Sequence, residues 1–261
     1  MNYNHTVLGR FIERPNRVIA HVSVNGQQVI CHVKNTGRCR ELLIPGCRVV
    51  LEFHPDAKKT GRKTEFDLIA VYKGRRLINM DSQAPNQAAW EWITNLADTE
   101  VSNAADEDRE GLIALQPSIP LKGLYRPGNI RRERVHGDSR FDLSFTLENW
   151  ETGDVKQAFM EVKGVTLEEN GIVRFPDAPT QRGVKHLLGL SSAVSKGYEA
   201  FVLFVIQMED VKEFHPNDET HRAFGDALRA GEEAGLHILA YDCQVKENSI
   251  KLRKPVNVLL S

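Results

Sequence analysis

Polar and apolar residues alternate through the first third of the chain. Val18, Ala20, Val22 and Val24 recur at every second position, the period of a strand with one buried face. The same reading places strands at Thr6–Ile12, Arg17–Val24, Gln28–Val33, Cys47–Phe53, Thr64–Tyr72 and Arg76–Met80. Asn25-Gly26 joins the second strand to the third as a hairpin turn, because both central positions of such a turn need positive φ. Asn35-Thr36-Gly37 marks a second turn. Short strands packed this densely predict a small barrel of the OB type, or an SH3-like one. Asp81–Pro85 reads as a linker, which divides the chain into residues 1–81 and 82–261.

Beyond the linker the period lengthens. Asn86–Ala97 is expected to be helical, with Ala88, Ala89, Trp92 and Leu96 on one side, and Trp90 and Trp92 cannot share that stripe. Residues 106–115 fit a short helix or a polar loop, and the prolines at 117–120 and the Pro127-Gly128-Asn129 string act as breakers. Ile130–Val135 reads as a strand that turns at His136-Gly137-Asp138 into a second strand around Asp142, and Lys156–Lys163 forms a third. Residues 171–179 read as a loop. Thr180 is the expected N-cap of a helix that runs through Val184, Leu187, Leu188, Leu190 and Val194 to Gly197. Residues 200–206 are continuously apolar, as in a strand covered on both faces. Residues 217–235 form an amphipathic helix with Phe224, Ala227, Leu228 and Ala234 inward, and Leu236–Tyr241 is the last core strand before a hairpin-like tail. The order strand–strand–strand–helix–strand–helix–strand predicts a mixed α/β (α+β) sheet flanked by helices.

Composition narrows the class. With 41% hydrophobic and 26% charged residues the 261-residue chain is an ordinary globular protein, and its net charge of −1 means that any polyanion must be held by local patches. No run reaches the length of a membrane span, and the polar start Met1-Asn2-Tyr3-Asn4-His5 lacks the apolar stretch of a signal peptide, so the cytoplasm is expected. Cys31, Cys39, Cys47 and Cys243 form no Cys-x-x-Cys pair and read as reduced, partly buried thiols.

The candidate chemistry lies in Arg140-Phe141-Asp142-Leu143-Ser144-Phe145 and Phe159-Met160-Glu161-Val162-Lys163-Gly164. Glu161 and Lys163 share a strand face, and pairing of the two strands would bring Asp142 to them. Two carboxylates about 4 Å apart repel by roughly 4 kcal/mol at an effective dielectric near 20. A hard divalent cation such as Mg²⁺ removes that cost. Basic groups surround these strings: Lys34, Arg38 and Arg40 in one turn, Lys58, Lys59, Arg62 and Lys63 in a loop, and Lys122, Arg126, Arg131, Arg132, Arg134 and Arg140 ahead of Asp142. Such charges can hold phosphates or simply be solvated. Glu133, an acid among arginines, is either an ion-pair partner or a third acid near the metal. Arg182, Lys185 and His186 occupy the first turns of the helix after Thr180, where a phosphate would be attracted; a lone histidine there is more often structural.

An Asp, a gap, then Glu-x-Lys on the next strand followed by a helix is the order of the PD-(D/E)xK nuclease superfamily. Asn35-Thr36-Gly37, Arg140-Phe141-Asp142, Glu161-Val162-Lys163-Gly164-Val165-Thr166-Leu167, Phe175-Pro176-Asp177-Ala178 and Arg182-Gly183-Val184-Lys185-His186-Leu187 together resemble the sugar fermentation stimulation protein A family, from about Thr6 to about Val256. The resemblance implies an OB-like domain fused to a PD-(D/E)xK-like domain, with DNA binding. It implies Asp142 and Glu161 as ligands of Mg²⁺ or Mn²⁺, the Val162 carbonyl completing the set, and Lys163 orienting or deprotonating the attacking water. Phe141 stands where the pattern has proline. Asp177, Lys185 and His186 fit roles behind the ligands or at phosphates, against loop-capping and surface roles.

The function so read is a metal-dependent nuclease on DNA or RNA, largely indifferent to sequence. The alternatives are a DNA-binding regulator with an idle nuclease-like site, and a hydrolase of a small phosphodiester. Polymer contacts are expected from Lys34, Arg38, Arg40, Lys58, Lys59, Arg62, Lys63, Arg132, Arg134, Arg140 and Arg182, with no membrane partner; a homo-oligomer is compatible with the chain.

Overall fold

A computed structural model describes residues 1–35, 37–98, 113–114, 124–137 and 139–261. Thr36, Lys122, Asp138, the helix-or-loop expectation at 106–115 and the prolines at 117–120 lie outside the described residues.

Six strands form the first sheet: β1 (Thr6–Glu13), β2 (Ile19–Val24), β3 (Gln27–Val33), β4 (Arg48–Phe53), β5 (Phe66–Lys73) and β6 (Arg76–Asn79). β1 pairs antiparallel with both β2 and β4, β2 with β3, and β4 with β5; a parallel β3–β5 pairing then closes the circuit β1-β2-β3-β5-β4. The barrel is therefore OB-like, with β6 added to β5 as a hairpin. Its local causes are in part those read from the pattern, although Val18 is 48% exposed and Val24 only half-buried. Ala20 and Val22 are buried while His21 and Ser23 between them are half-exposed, and Asn25 and Gly26 both take positive φ in the turn.

The expected linker is a buried joint. Asp81 is fully buried; Lys34 Nζ lies 2.7 Å from its carboxylate, and Tyr3 Oη and the Gln83 N–H donate to it. Asn79 donates to Tyr3 Oη, and the Gln207 amide donates to Asn79 and to the Asp81 carbonyl. A carboxylate this deep is tolerable only because every neighbour answers it. The next helix, α1 (Ala84–Asp98), buries Ala84, Pro85, Ala88, Ala89 and Ile93. Trp92, expected inward, is only half-buried against Tyr241, and Ile93 takes the core position instead.

The second sheet runs β16-β15-β13-β10-β9-β8-β7. Its first strands are β7 (Ile113–Ala114), β8 (Leu124–His136), β9 (Ser139–Asn149) and β10 (Val155–Val165). The expected loop at 171–179 is instead part of a small sheet, whose first strands are β11 (Glu168–Glu169) and β12 (Ile172–Phe175). Then come α2 (Gln181–Ser195), β13 (Glu199–Ile206), β14 (Glu213–Pro216), α3 (Asp218–Glu233), β15 (His237–Lys246), β16 (Ser249–Pro255) and β17 (Asn257–Val258). β14 and β17 complete the small sheet. In the large sheet β10, β13 and β15 are parallel, and β8–β9–β10 and β15–β16 are antiparallel.

β13 sits between two cores, as its unbroken apolar run requires. Phe201, Leu203 and Val205 meet Ala89 and Ile93 of α1 and Ile69 of the barrel. Ala200, Val202 and Phe204 join a second cluster with Leu187, Leu190, Phe224 and Leu228 of α2 and α3. One inward expectation fails: Ala234 is exposed, while Gly225 and Gly231 of α3 are buried; Leu188 of α2 is 59% exposed. Glycine serves the α2–α3 approach: a Cβ on Gly183 would lie 3.1 Å from the Phe224 ring of α3, and one on Gly231 3.4 Å from Ser191 Oγ of α2.

Candidate active site at the splayed edge of two strands

The β9–β10 ladder ends at the Met160↔Leu143 pair. The next rung would join Asp142 to Glu161, and there the strands part. The Asp142 carboxylate fills the opening: one oxygen accepts the Val162 N–H at 2.8 Å, and the other accepts from Asn86 Nδ2 in the first turn of α1, also at 2.8 Å. A residue's N–H and C=O lie on one edge of a strand, so the Val162 carbonyl opens toward the same gap.

Glu161 is buried, 2% exposed. Its Oε1 takes Lys163 Nζ at 2.6 Å and a short contact from His186 Nδ1. Its Oε2 is buried with no hydrogen-bond partner. Burial pushes the Glu161 carboxyl up, but the His186 and Lys163 contacts outweigh it and hold it below the ordinary range. Asp142 goes the other way: burial first, and then the negative charge of Glu161, raise it in spite of the Val162 N–H, Lys163 and Asn86. The two acids therefore sense one another across the gap.

The described residues fit a hard divalent cation. An orphaned oxygen of a buried carboxylate costs free energy that a cation would recover. Asp142, Glu161 Oε2 and the Val162 carbonyl are oxygen donors of the kind Mg²⁺ and Mn²⁺ take. Thr180 caps α2 as expected, its hydroxyl accepting the Gly183 N–H at 2.9 Å, and this fixes the turn that carries His186. Arg182 Nε donates to His186 Nε2 at 3.3 Å, so Nδ1 carries the proton that faces Glu161. His186 is thus part of the cluster and not a surface residue.

Other expectations separate. Glu133 is exposed and pairs with Arg140, away from the acids. Lys185 and Asp177 are exposed and touch neither acid. Lys34 is committed to Asp81, and Arg62 to the buried Asp67 at 2.5 Å, so both are internal ion pairs and not free phosphate contacts. Arg132 donates to Gln87 and stands over the Trp90 ring. Lys58 and Lys59 are 92% and 84% exposed, and Arg38, Arg40, Lys63, Arg134 and Arg182 are also exposed. All four cysteines are free thiols; burial pushes Cys31 and Cys39 up to about 12.

The residue that the sequence does not single out is Asn86, an ordinary helix-start amide until Asp142 is seen beside it. Pro85 and Gly164, next in the chain to Asn86 and Lys163, line a cavity of about 360 Å³ together with Asn35, Gly37, Arg174 and Asp177 among others. It gathers Asn35, Gly37 and the Phe175–Ala178 string, some 140 residues apart by the numbering, onto one wall.

Comparison with known proteins agrees with this architecture. Residues 112–249 match the model described as the sugar fermentation stimulation protein RE domain, and residues 12–80 match the SfsA N-terminal OB domain. The chain belongs to the sugar fermentation stimulation protein family. Homologues in Clostridium beijerinckii and Desulfitobacterium hafniense are 46% and 48% identical to it, over 100% of this chain and 99–100% of theirs. A solved structure of Pyrococcus furiosus SfsA in complex with Ca²⁺ shares the fold, with a TM-score of 0.74 at 23% identity over 99% of this chain and 98% of that one. Among the described residues, no helix is long and apolar enough to cross a membrane.

Proposed function

We propose that this chain is a nucleic-acid-binding protein with a Mg²⁺- or Mn²⁺-dependent phosphodiesterase site at Asp142, Glu161 and Lys163, working in the cytoplasm. The observation that carries the reading is the buried, unpartnered Glu161 Oε2 beside a second carboxylate whose ionisation it opposes. The Ca²⁺ complex of the P. furiosus relative supports a divalent ion in this fold. When bound, such an ion supplies positive charge where the phosphoryl oxygens become more negative.

The chain's own residues do the rest. Asn86 and the Val162 N–H fix Asp142 so that its lone pairs face the gap. Glu161 Oε1 steers the Lys163 ammonium to within reach of a water at the phosphorus, where it orients that water and, once deprotonated, can take its proton. His186 holds Glu161 from the other side. The exposed Arg38, Arg40, Lys58, Lys59, Lys63, Arg134 and Arg182 would neutralise phosphates of DNA or RNA without reading sequence. Regulation of sugar fermentation, which the family name records, would then act through this handling of nucleic acid.

The test is to incubate the protein with single- and double-stranded DNA and RNA in Mg²⁺, in Mn²⁺ and in chelator, beside Asp142→Ala and Lys163→Ala. Cleavage that needs the ion and fails in both variants is expected. Absence of cleavage under every condition, or cleavage unaltered in both variants, refutes the enzyme; binding that persists without cleavage would leave the regulatory reading.

A further inference from the structure

A second group of metal-ligand side chains lies in the barrel, in a different sheet from the carboxylate pair. The register sets Glu52 of β4 opposite Asp67 of β5, and Asp67 opposite His32 of β3. Residues in one cross-strand row point to one face, and His54, two positions after Glu52, joins them. One ligand atom each from Glu52, His54 and Asp67 can be chosen so that all three lie within 4.8 Å of one another. His54 Nε2 is 3.0 Å from Asp67 Oδ2 and 3.8 Å from Glu52 Oε2.

The geometry behind these atoms points to a ligand. Each carboxylate has one oxygen held by the protein and one aimed at the imidazole. Arg62 Nη2 holds Asp67 Oδ1 at 2.5 Å, and the Asn4 N–H holds Glu52 Oε1 at 2.9 Å. Groups that bond the far side of a ligand and fix its direction are the usual support of a metal site. A single imidazole N–H satisfies Asp67 but falls short of Glu52, whereas an ion between the three would bond them all. His32 Nδ1 lies 3.5 Å from Asp67 Oδ1, on the Arg62 side of that carboxylate and outside the three-residue group. Side-chain exposures of 13% for Glu52 and 26% for His54 leave a path for an ion.

We propose that Glu52, His54 and Asp67 bind a first-row transition ion, Zn²⁺ being the best fit. One nitrogen and two carboxylate oxygens are a Zn²⁺ donor set, while Mg²⁺ and Ca²⁺ favour oxygen alone. Zn²⁺ also outcompetes Mn²⁺ at mixed N/O sites. The ion would pin β4 to β5 at the base of the 55–65 loop, from which Arg62 reaches in and which carries Lys58, Lys59 and Lys63. The His54 backbone N–H, donated to the Glu65 carbonyl at 2.8 Å, already closes that base.

The experiment strips the full chain with chelator and titrates it with Zn²⁺ in excess Mg²⁺, reading heat and bound metal. One equivalent is expected, with a rise in thermal midpoint. His54→Ala and Glu52→Gln should each lose that equivalent, and Arg62→Ala should weaken it roughly 10–100-fold. Asp142→Ala should retain it. Glu52→Gln keeps shape and the Asn4 contact, so it serves if His54→Ala does not fold. Co²⁺ in place of Zn²⁺ should give visible absorption that shifts in Glu52→Gln. No Zn²⁺ uptake by the unaltered chain, uptake unchanged in Glu52→Gln, or uptake lost in Asp142→Ala overturns the proposal.

Discussion

Lys34→Met isolates the buried joint between barrel and sheet. In the native chain Lys34 Nζ lies 2.7 Å from an Asp81 carboxylate that is fully buried. Methionine keeps the length of the stem but removes the charge. Asp81 would retain the Tyr3 hydroxyl at 3.3 Å and the Gln83 N–H at 2.9 Å, two neutral donors against a full negative charge. Breaking a buried pair from one side costs about 3–5 kcal/mol. For a chain of this size each kcal/mol moves the thermal midpoint by roughly 2–4 °C, so the loss is on the order of 6–20 °C. The double variant Lys34→Met/Asp81→Asn should recover most of it, since the orphaned charge is what costs. The assay is urea and thermal unfolding of the four proteins of the cycle. Nucleic-acid affinity against salt gives a second readout: Lys34→Met should leave the slope unchanged, while loss of Lys58, Lys59 and Lys63 should lower it by roughly 0.9 per phosphate contact removed. A stability loss under about 1 kcal/mol, the figure for an exposed pair, or a salt slope that moves with Lys34, would overturn this account of the joint.

Three further outcomes rest on single side chains. Glu168 is buried, which raises its carboxyl, but Lys73, the Gly171 N–H and Arg76 bring it below the ordinary glutamate value of 4.5; its stabilisation is whole above 4.5 and is lost as pH falls through the lower folded value, so Glu168→Gln should flatten the unfolding midpoint against pH on the acid side of 4.5. Asp142→Asn removes a charge that burial and Glu161 both oppose, so in chelator the variant should melt higher than the native chain while losing any Mg²⁺-induced rise. A Cβ at Gly164 would come within 2.6 Å of Gln207 Oε1 and 2.7 Å of Pro85 Cγ; Gln207 is tied into the joint and cannot swing aside, so Gly164→Ala should cost about 1–3 kcal/mol and lower cleavage, measured by unfolding and by the nuclease assay.

Much of the fold is readable in the string, for reasons that can be named. β2 keeps a period of two because one face is buried, and β13 is continuous because both are, as are the buried runs of β4 and β5. Thr180 announces α2 because a hydroxyl before a helix has one common use. Asp142, Glu161 and Lys163 stand out because like and unlike charges at a two-residue spacing need a partner. The features that escape are those that depend on a distant neighbour. β14 and β17 are four and two residues long and pair in parallel across some forty positions, too short for any period. Lys34 looks like a free cation because its partner Asp81 lies 47 residues on, and Arg62 because the pattern does not show that Asp67, five residues on in β5, is buried and turned toward it. His186 looks ordinary because its partner lies 25 residues back on another element. Gly183 and Gly231 escape because hydrophobic patterning gives no weight to a residue whose use is to let two helices approach.

The segment before the barrel has its own consequence for how the protein is made. Asn2 forms a bridge with Ser249, and the Tyr3 N–H donates to the Asn248 carbonyl at 2.8 Å. Tyr3 also belongs to the joint with Asn79 and Asp81. A ribosome delivers residues 2 and 3 long before residues 248 and 249. The barrel's own strands are close in sequence and can assemble while synthesis continues, and the Tyr3 hydroxyl can meet Asn79 and Asp81 then, but the backbone contacts of Asn2 and Tyr3 wait until the β15–β16 hairpin has emerged. A nascent chain halted just before that hairpin would therefore have every residue of the joint, Gln207 included, but would leave the Asn2 bridge and the Tyr3 N–H without their partners.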